Sequence, residues 1–344
     1  MVLNYNNSVF GGELYMIDLH FDMLTKLYTS YLENDFTFIK EFVKNYNKDN
    51  VTGVIANMCF MSKSEMKEEY SKHYFDNSVS VVEMFLVSKM LLEEYLDSDI
   101  KYILSIEGCD YVDINDLDTL KELGLQAILP VWNEKNRYGS GNRSDIGLTK
   151  EGVKFIWHAF ELGLAVDLSH ANKKTFDDII EVAKIAASTE LEPIIYASHS
   201  NCYSLCDRDR NLTDEQLLKI KELDGVVGLF SNRGFVYKDS FKNKTDNEIV
   251  KERYLSHIKH VENLFGGIDN ICLSTDDMTF CGDKDPDYNL CPIFNYSSMK
   301  NDLLTLLSKE YSKEDIDKLL YGNAMKLFDR INKKERGNYY VKRK

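Results

Sequence analysis

The 344-residue sequence has only 4 Pro, 2 Trp and 7 His, and no apolar run near the length a membrane span needs. A bilayer core asks for about 20 consecutive apolar residues, so the reading is of a protein with no membrane span. The first residues, Met1-Val2-Leu3-Asn4-Tyr5, lack the basic and apolar regions of a secretory leader. Basic surplus is missing too: 42 Lys and Arg face 56 Asp and Glu, a net −14. That balance argues against nucleic acid and anionic membrane as partners. The one basic cluster, 333–344, reads as a solvated tail. The 7 Cys are irregularly spaced with no Cys-x-x-Cys pair, which predicts free thiols and a reducing, cytoplasmic setting. Neither a Gly-x-Ser-x-Gly elbow nor a Gly-x-Gly-x-x-Gly turn occurs, which weakens a serine hydrolase and a dinucleotide-binding sheet respectively. Cys59 and Cys109 keep a reactive-cysteine enzyme open, although small buried thiols explain them as well.

What the sequence does contain is an alternation. β-branched, apolar runs fall at 14–19, 53–58, 102–106, 125–131, 164–168, 193–197, 226–230 and 271–275. Helical periodicity fills the gaps, at 36–46, 79–95, 149–162, 175–187, 213–223, 247–264, 299–308 and 313–328. Thr149 and Thr213, each followed within two residues by acid, mark helix starts. No Pro/Gly/Ser linker divides the chain. Eight strand–helix units predict an α/β fold, a (β/α)8 TIM barrel, as one domain over 1–332. An open doubly wound sheet is the alternative. Long loops after strands, at 60–78, 132–148, 231–247 and 277–298, would lie on the catalytic face of a barrel.

The strand ends carry the chemistry. The first run stops at Asp18, His20 and Asp22; the third at Glu107-Gly108; the fifth at His170; the sixth at His199-Ser200-Asn201; the eighth at Asp276-Asp277. His20 and Asp22, two apart, share one side of an extended backbone. Any one of these is more often a hydrogen-bonded loop residue than a ligand, but in a barrel all would meet at one mouth. Histidines grouped with carboxylates suit Zn²⁺ or a similar divalent ion. His73, His158, His257 and His260 lie away from strand ends and are left as structural residues.

These segments resemble, in order, the membrane (renal) dipeptidase family of zinc peptidases: Asp18-x-His20-x-Asp22, Glu107-Gly108, Asp167-Leu168-Ser169-His170, Ser198-His199-Ser200-Asn201 and the Asp276 segment. Gly147-Leu148-Thr149-x-x-Gly152, Arg210-Asn211-Leu212-Thr213-Asp214 and Gly322-Asn323-Ala324 look like that family as well, so the resemblance spans about 17–328. It implies a barrel of the metal-dependent hydrolase type that carries two zinc ions and cleaves dipeptides, including L,D-dipeptides, by a metal-bridging hydroxide. Carried over by position, His20, Asp22 and Asp276 hold one ion, His170 and His199 the other, and Glu107 bridges them. Asp276 becomes the catalytic base and proton donor. Arg210, with Arg208 as its alternate, pairs with the substrate carboxylate, and Asp18 becomes a supporting residue.

The chain departs from the family in two places. Trp132-Asn133 stands where the animal enzymes have a substrate-orienting histidine, as in bacterial relatives, and this implies a shifted pocket with Trp132 and Asn133 in contact with substrate. Ser274-Thr275-Asp276-Asp277 replaces the usual Gly-Ser-Asp-Phe-Asp-Gly. The animal members' leader and lipid-anchor tail are not seen, which predicts a soluble form, and a homodimer is expected by family analogy. Two other functions share the same metal motif or fold: another binuclear amidohydrolase, such as an N-acyl-amino-acid deacylase or a deaminase, and a non-catalytic metal-binding barrel.

Overall fold

The structure, a computed structural model, describes residues 15–37, 39–40, 51–60, 79–96, 99–238, 247–276, 293–294 and 299–341. Most of the predicted helix at 36–46 and of the loops at 60–78 and 277–298, together with Asp277, lie outside them.

Among the described residues there are eight strands: β1 Met16–Phe21, β2 Val51–Cys59, β3 Lys101–Glu107, β4 Ala127–Leu129, β5 Ala165–Asp167, β6 Ile194–Tyr196, β7 Val227–Phe230 and β8 Ile271–Ser274, and their pairings are parallel. β1 to β6 pair in sequence order and β7 pairs with β8. A parallel bridge between Ala197 and Val227 joins the two groups. The remaining seam, β8 to β1, is held by the Asp276 N–H on His20 O at 3.3 Å and by the Thr275 N–H on Asp18 Oδ1 at 2.9 Å. A side chain here does what a backbone carbonyl does elsewhere.

Ile17, Ile55, Ile103, Ala127, Ala165, Ile194 and Cys272 from seven of the strands, with Val226 just before β7, belong to one apolar cluster. Ala324, Leu327, Phe328 and Ile331 of the last helix pack into the same cluster, so that helix plugs the barrel floor. The predicted helix at 313–328 is in fact broken by a π-helical turn over Lys318–Gly322 before the last helix runs Asn323–Val341. The basic stretch read as a tail is therefore helical as far as Val341.

The outer helices start where their caps dictate. Thr149 accepts the Gly152 N–H to open the helix Lys150–Glu161, and Thr213 with Gln216 forms a reciprocal capping box at Asp214–Glu222. The first helix, Met23–Glu33, begins directly after Asp22. It turns the chain back over the barrel with no intervening loop, so its first turn faces the mouth.

Candidate metal centre

The carboxyl ends of β1, β3, β5, β6 and β8 bring the six expected ligands to one place. His20 is the fifth residue of β1 and is buried. Asp22 lies beyond the strand at the N-cap position of the first helix, with φ −74° and ψ 45°, and its side chain caps nothing. The pair still meets, His20 Nε2 to Asp22 Oδ1 being 3.7 Å. That Asp22 oxygen is buried without a hydrogen-bond partner.

Glu107 ends β3, and its two oxygens go separate ways. Oε2 is 3.0 Å from His20 Nε2, while Oε1 is 3.1 Å from His170 Nε2 and 3.9 Å from His199 Nε2. The following glycine is required. Gly108 has φ +79°, and a Cβ there would sit 2.1 Å from the Phe60 carbonyl oxygen, a contact no side chain can make.

His170 and Asp276 both occupy the left-handed region, at φ 67° and 47°. Such a backbone costs a non-glycine residue about 1–2 kcal/mol, and it turns each side chain from the strand line into the mouth. His170 Nε2 and His199 Nε2 are 3.1 Å apart, and Asp276 Oδ1 is 4.0 Å from His20 Nε2. Three groupings have ligand atoms mutually within 4.8 Å: His20, His199 and Asp276; Glu107, His170 and His199; and His20, Asp22 and Glu107.

Every imidazole presents Nε2 to this cluster and uses Nδ1 for support. His170 Nδ1 faces Asn133 Oδ1 at 3.1 Å, and His199 Nδ1 faces Ser198 Oγ at 2.6 Å. His20 Nδ1 has Asn57 and Ser198 Oγ at 3.0 and 3.1 Å. Support of this kind, through the outer ring nitrogen, is what metal-ligating histidines use.

The protein alone leaves the charges badly balanced. Burial, reinforced by Glu107, pushes Asp22 up to about 8. Burial likewise lifts Asp276 to about 6. For His20 burial works against the charge, yet Glu107, Asp22 and Asp276 push it up to about 10. Burial drives His170 down to about 3, helped by Arg210, and takes His199 well below the ordinary value. Three crowded carboxylates beside two histidines held neutral are the donor set a divalent cation satisfies. The orphaned Asp22 oxygen and the converging Nε2 atoms fit such ions.

A cavity of about 350 Å³ opens onto the cluster, lined by Asp22, Glu107, His170 and Asp276 and also by Trp132, Asn133 and Arg210. Trp132 stacks on His170 with ring centroids 6.0 Å apart. The loop bearing Trp132 folds tightly, Gly141 lying so close that a Cβ would fall 1.5 Å from the Trp132 carbonyl oxygen. Arg210 is buried, donates to His199 O at 3.0 Å and to Ser200 Oγ at 3.2 Å, and lies over the Phe230 ring. Burial lowers it to about 10. Arg208 does not line the cavity among the described residues.

Asn57, Thr25 and Lys26 were not anticipated as site residues. Thr25 and Lys26 line the cavity because the first helix starts directly after Asp22. The uninterrupted Asp22–Met23 junction was the signal that could have shown it.

The pattern of the membrane dipeptidase family (peptidase family M19) matches residues 12–339. The chain belongs to this family. Its members are metallopeptidases, and the strand-end cluster is the candidate metal site among the described residues.

An uncharacterized protein of Klebsiella pneumoniae, encoded in a pqqA 5′ region, is 29% identical over 245 residues, 68% of this chain and 83% of that one. An uncharacterized dipeptidase of Schizosaccharomyces pombe is 27% identical over 266 residues; the match spans 68% of this chain and 59% of that longer relative. The crystal structure of a Rhodobacter sphaeroides metallopeptidase, liganded with a phosphinate mimic of the dipeptide L-Ala-D-Ala, superposes with TM-score 0.71 at 19% identity, over 93% of this chain and all of that one. At that identity the likeness is one of fold. No helix among the described residues is long and apolar enough to cross a membrane.

Proposed function

We propose that this metallopeptidase is a zinc-dependent dipeptidase with two ions per chain. His20, Asp22 and Asp276 would hold the first, His170 and His199 the second, with Glu107 between them. The observation that carries this is the division of Glu107, whose Oε2 faces His20 at 3.0 Å and whose Oε1 faces His170 at 3.1 Å. A carboxylate placed so can serve two cations at once. Bound divalent ions supply Lewis acidity toward the scissile carbonyl and lower the pKa of water.

The chain's own residues do the rest. Asp276 sits at the edge of the cluster with 23% of its side chain exposed, so its free oxygen can take a proton from water and return it to the leaving amine. Burial holds its carboxyl near 6 even before any ion is added, close to the range useful for proton transfer. Arg210 faces the cavity with donors remaining for a substrate carboxylate, and a guanidinium fork binds a carboxylate bidentately. Recognition of that terminal charge selects dipeptides over long chains. Trp132, stacked on His170, walls the side of the pocket, and Asn133 lines the cavity beside it. The Rhodobacter relative's L-Ala-D-Ala mimic supports tolerance of a D-residue at the second position of the substrate.

The test is amino-acid release from a panel of L,L- and L,D-dipeptides, N-acyl amino acids and tripeptides, with wild type and Asp276→Asn. Dipeptide turnover that a chelator abolishes, and that Asp276→Asn lowers in kcat far more than in KM, is the expected result. Metal-replete protein that cleaves no dipeptide would overturn the proposal.

A further inference from the structure

Ser198 lies two residues beyond the end of β6, directly before His199, and it is fully buried. Its hydroxyl lies 2.6 Å from His199 Nδ1 and 3.1 Å from His20 Nδ1. On the binuclear reading above, on which this inference rests, those two histidines serve different ions. One oxygen therefore touches the outer nitrogen of a ligand from each half.

The chemistry of the ring makes the contact directional. An imidazole offers Nε2 as a lone pair only when Nδ1 carries the proton. With both histidines in that tautomer, two N–H groups donate to Ser198 Oγ. A hydroxyl accepts two hydrogen bonds and donates one, so the serine must send its own proton elsewhere. Ser169 Oγ is 3.5 Å away, and Asp167 stands beside it. Its carboxylate is buried and accepts the Ser169 N–H at 2.9 Å and the Ser198 N–H at 3.0 Å. The Ser198 hydroxyl helps to hold it ionised against its burial.

Every capacity of the hydroxyl is then used. The same tautomer also suits Asn57. Its Nδ2 lies 3.0 Å from His20 Nδ1 and 3.3 Å from Ile55 O; a half-turn of the amide gives up the bond to Ile55 and brings Oδ1 to share the Nδ1–H with Ser198 Oγ.

We propose that Ser198, oriented by Asp167, is a positioning residue shared by both halves of the metal centre, fixing the ring orientation and tautomer of His20 and His199 together. Neither Ser198 nor Asp167 touches an ion or substrate in this arrangement. Asp167 Oδ1 ties the end of β5 to the segment after β6 by accepting the Ser198 N–H, so the serine is held in place under the cluster. Asn133 is its contrast, because it supports His170 alone.

The test is ion binding rather than catalysis. Apo wild type, Ser198→Ala and Asp167→Asn are titrated with Co²⁺ and then Zn²⁺, following stoichiometry, affinity and the visible absorption of bound cobalt; thermal melts of the apo proteins report the fold. Loss of an outer partner typically weakens a metal site roughly 10- to 100-fold. Ser198→Ala is expected to weaken the ion at His199 by that factor and the ion at His20 by roughly 3- to 10-fold, Asn57 remaining there. Both cobalt spectra should shift while the apo melt stays near wild type. Asp167→Asn, which weakens the acceptor of the Ser198 N–H, should weaken both ions in the same way, and it carries the test should Ser198→Ala fail to fold. A serine with a purely structural role would lower the apo melt and leave both affinities within about twofold of wild type, and that would overturn the inference. So would loss confined to one ion, or a wild type that takes up fewer than two. A protein that binds two ions and cleaves no dipeptide would refute the substrate reading and leave this one standing.

Discussion

Asn133 Oδ1 lies 3.1 Å from His170 Nδ1. Asn133 was expected from the sequence as a substrate contact, and it does line the cavity, but its amide oxygen is committed to a histidine. The bond directs His170 Nε2 at Glu107 and His199. It also keeps a residue with a left-handed backbone, φ 67°, aimed into the mouth.

Replacing Asn133 with Ala should therefore act on metal before substrate. Affinity for the ion held by His170 is expected to fall roughly 10- to 100-fold, with the other ion little changed. A competitive chelator titration of the apo protein measures both. A variant with two unaltered affinities and a raised KM would return Asn133 to a substrate role alone.

Arg210 gives a prediction about substrate. A charge-assisted hydrogen bond is worth about 1.5–3 kcal/mol, so Arg210→Met should lower kcat/KM on dipeptides by roughly 10- to 100-fold, chiefly through KM. Wild type should prefer a dipeptide over its C-terminal amide, and the variant should lose that preference. Equal discrimination by both proteins would remove Arg210 from carboxylate recognition.

Metal uptake should release protons. Without ions, His20 titrates near 10 and Asp22 near 8, so both are protonated at pH 7 and both must lose the proton to bind metal. Because the folded apo values are raised, raising the pH removes the competing protons. Apparent affinity should climb from pH 6 to about 8 and climb less steeply above the Asp22 value. Calorimetry in buffers of different ionisation enthalpy counts the protons; no release at pH 7 would contradict these assignments.

How much of this could be seen in the sequence follows from physical range. The proposed ligands could, because a histidine or carboxylate at or just beyond the end of an apolar run is a local pattern, and His20, Glu107, His170, His199 and Asp276 all arise that way. The supports could not. Asn57 and Asp167 are ordinary strand residues, and Ser198 an ordinary residue just past a strand, until the barrel closes around them. Asp18 is intermediate: its place before His20 suggested a supporting role, but its bond to the Thr275 N–H across the β8–β1 seam depends on closure. The first strand also runs further than its apolar stretch, to Phe21, because neighbouring strand pairing extends it past the hydrophobic signal. The π-helical turn over Lys318–Gly322 leaves the helical periodicity nearly intact, so periodicity alone did not show it.

The central claim is that one site with two ions does the work. Its most direct measurement is dipeptide turnover of the chelator-stripped protein against equivalents of Zn²⁺ added. No activity is expected without metal, and a plateau at two equivalents. Full activity at one equivalent, or turnover that persists in the metal-free protein, would contradict it.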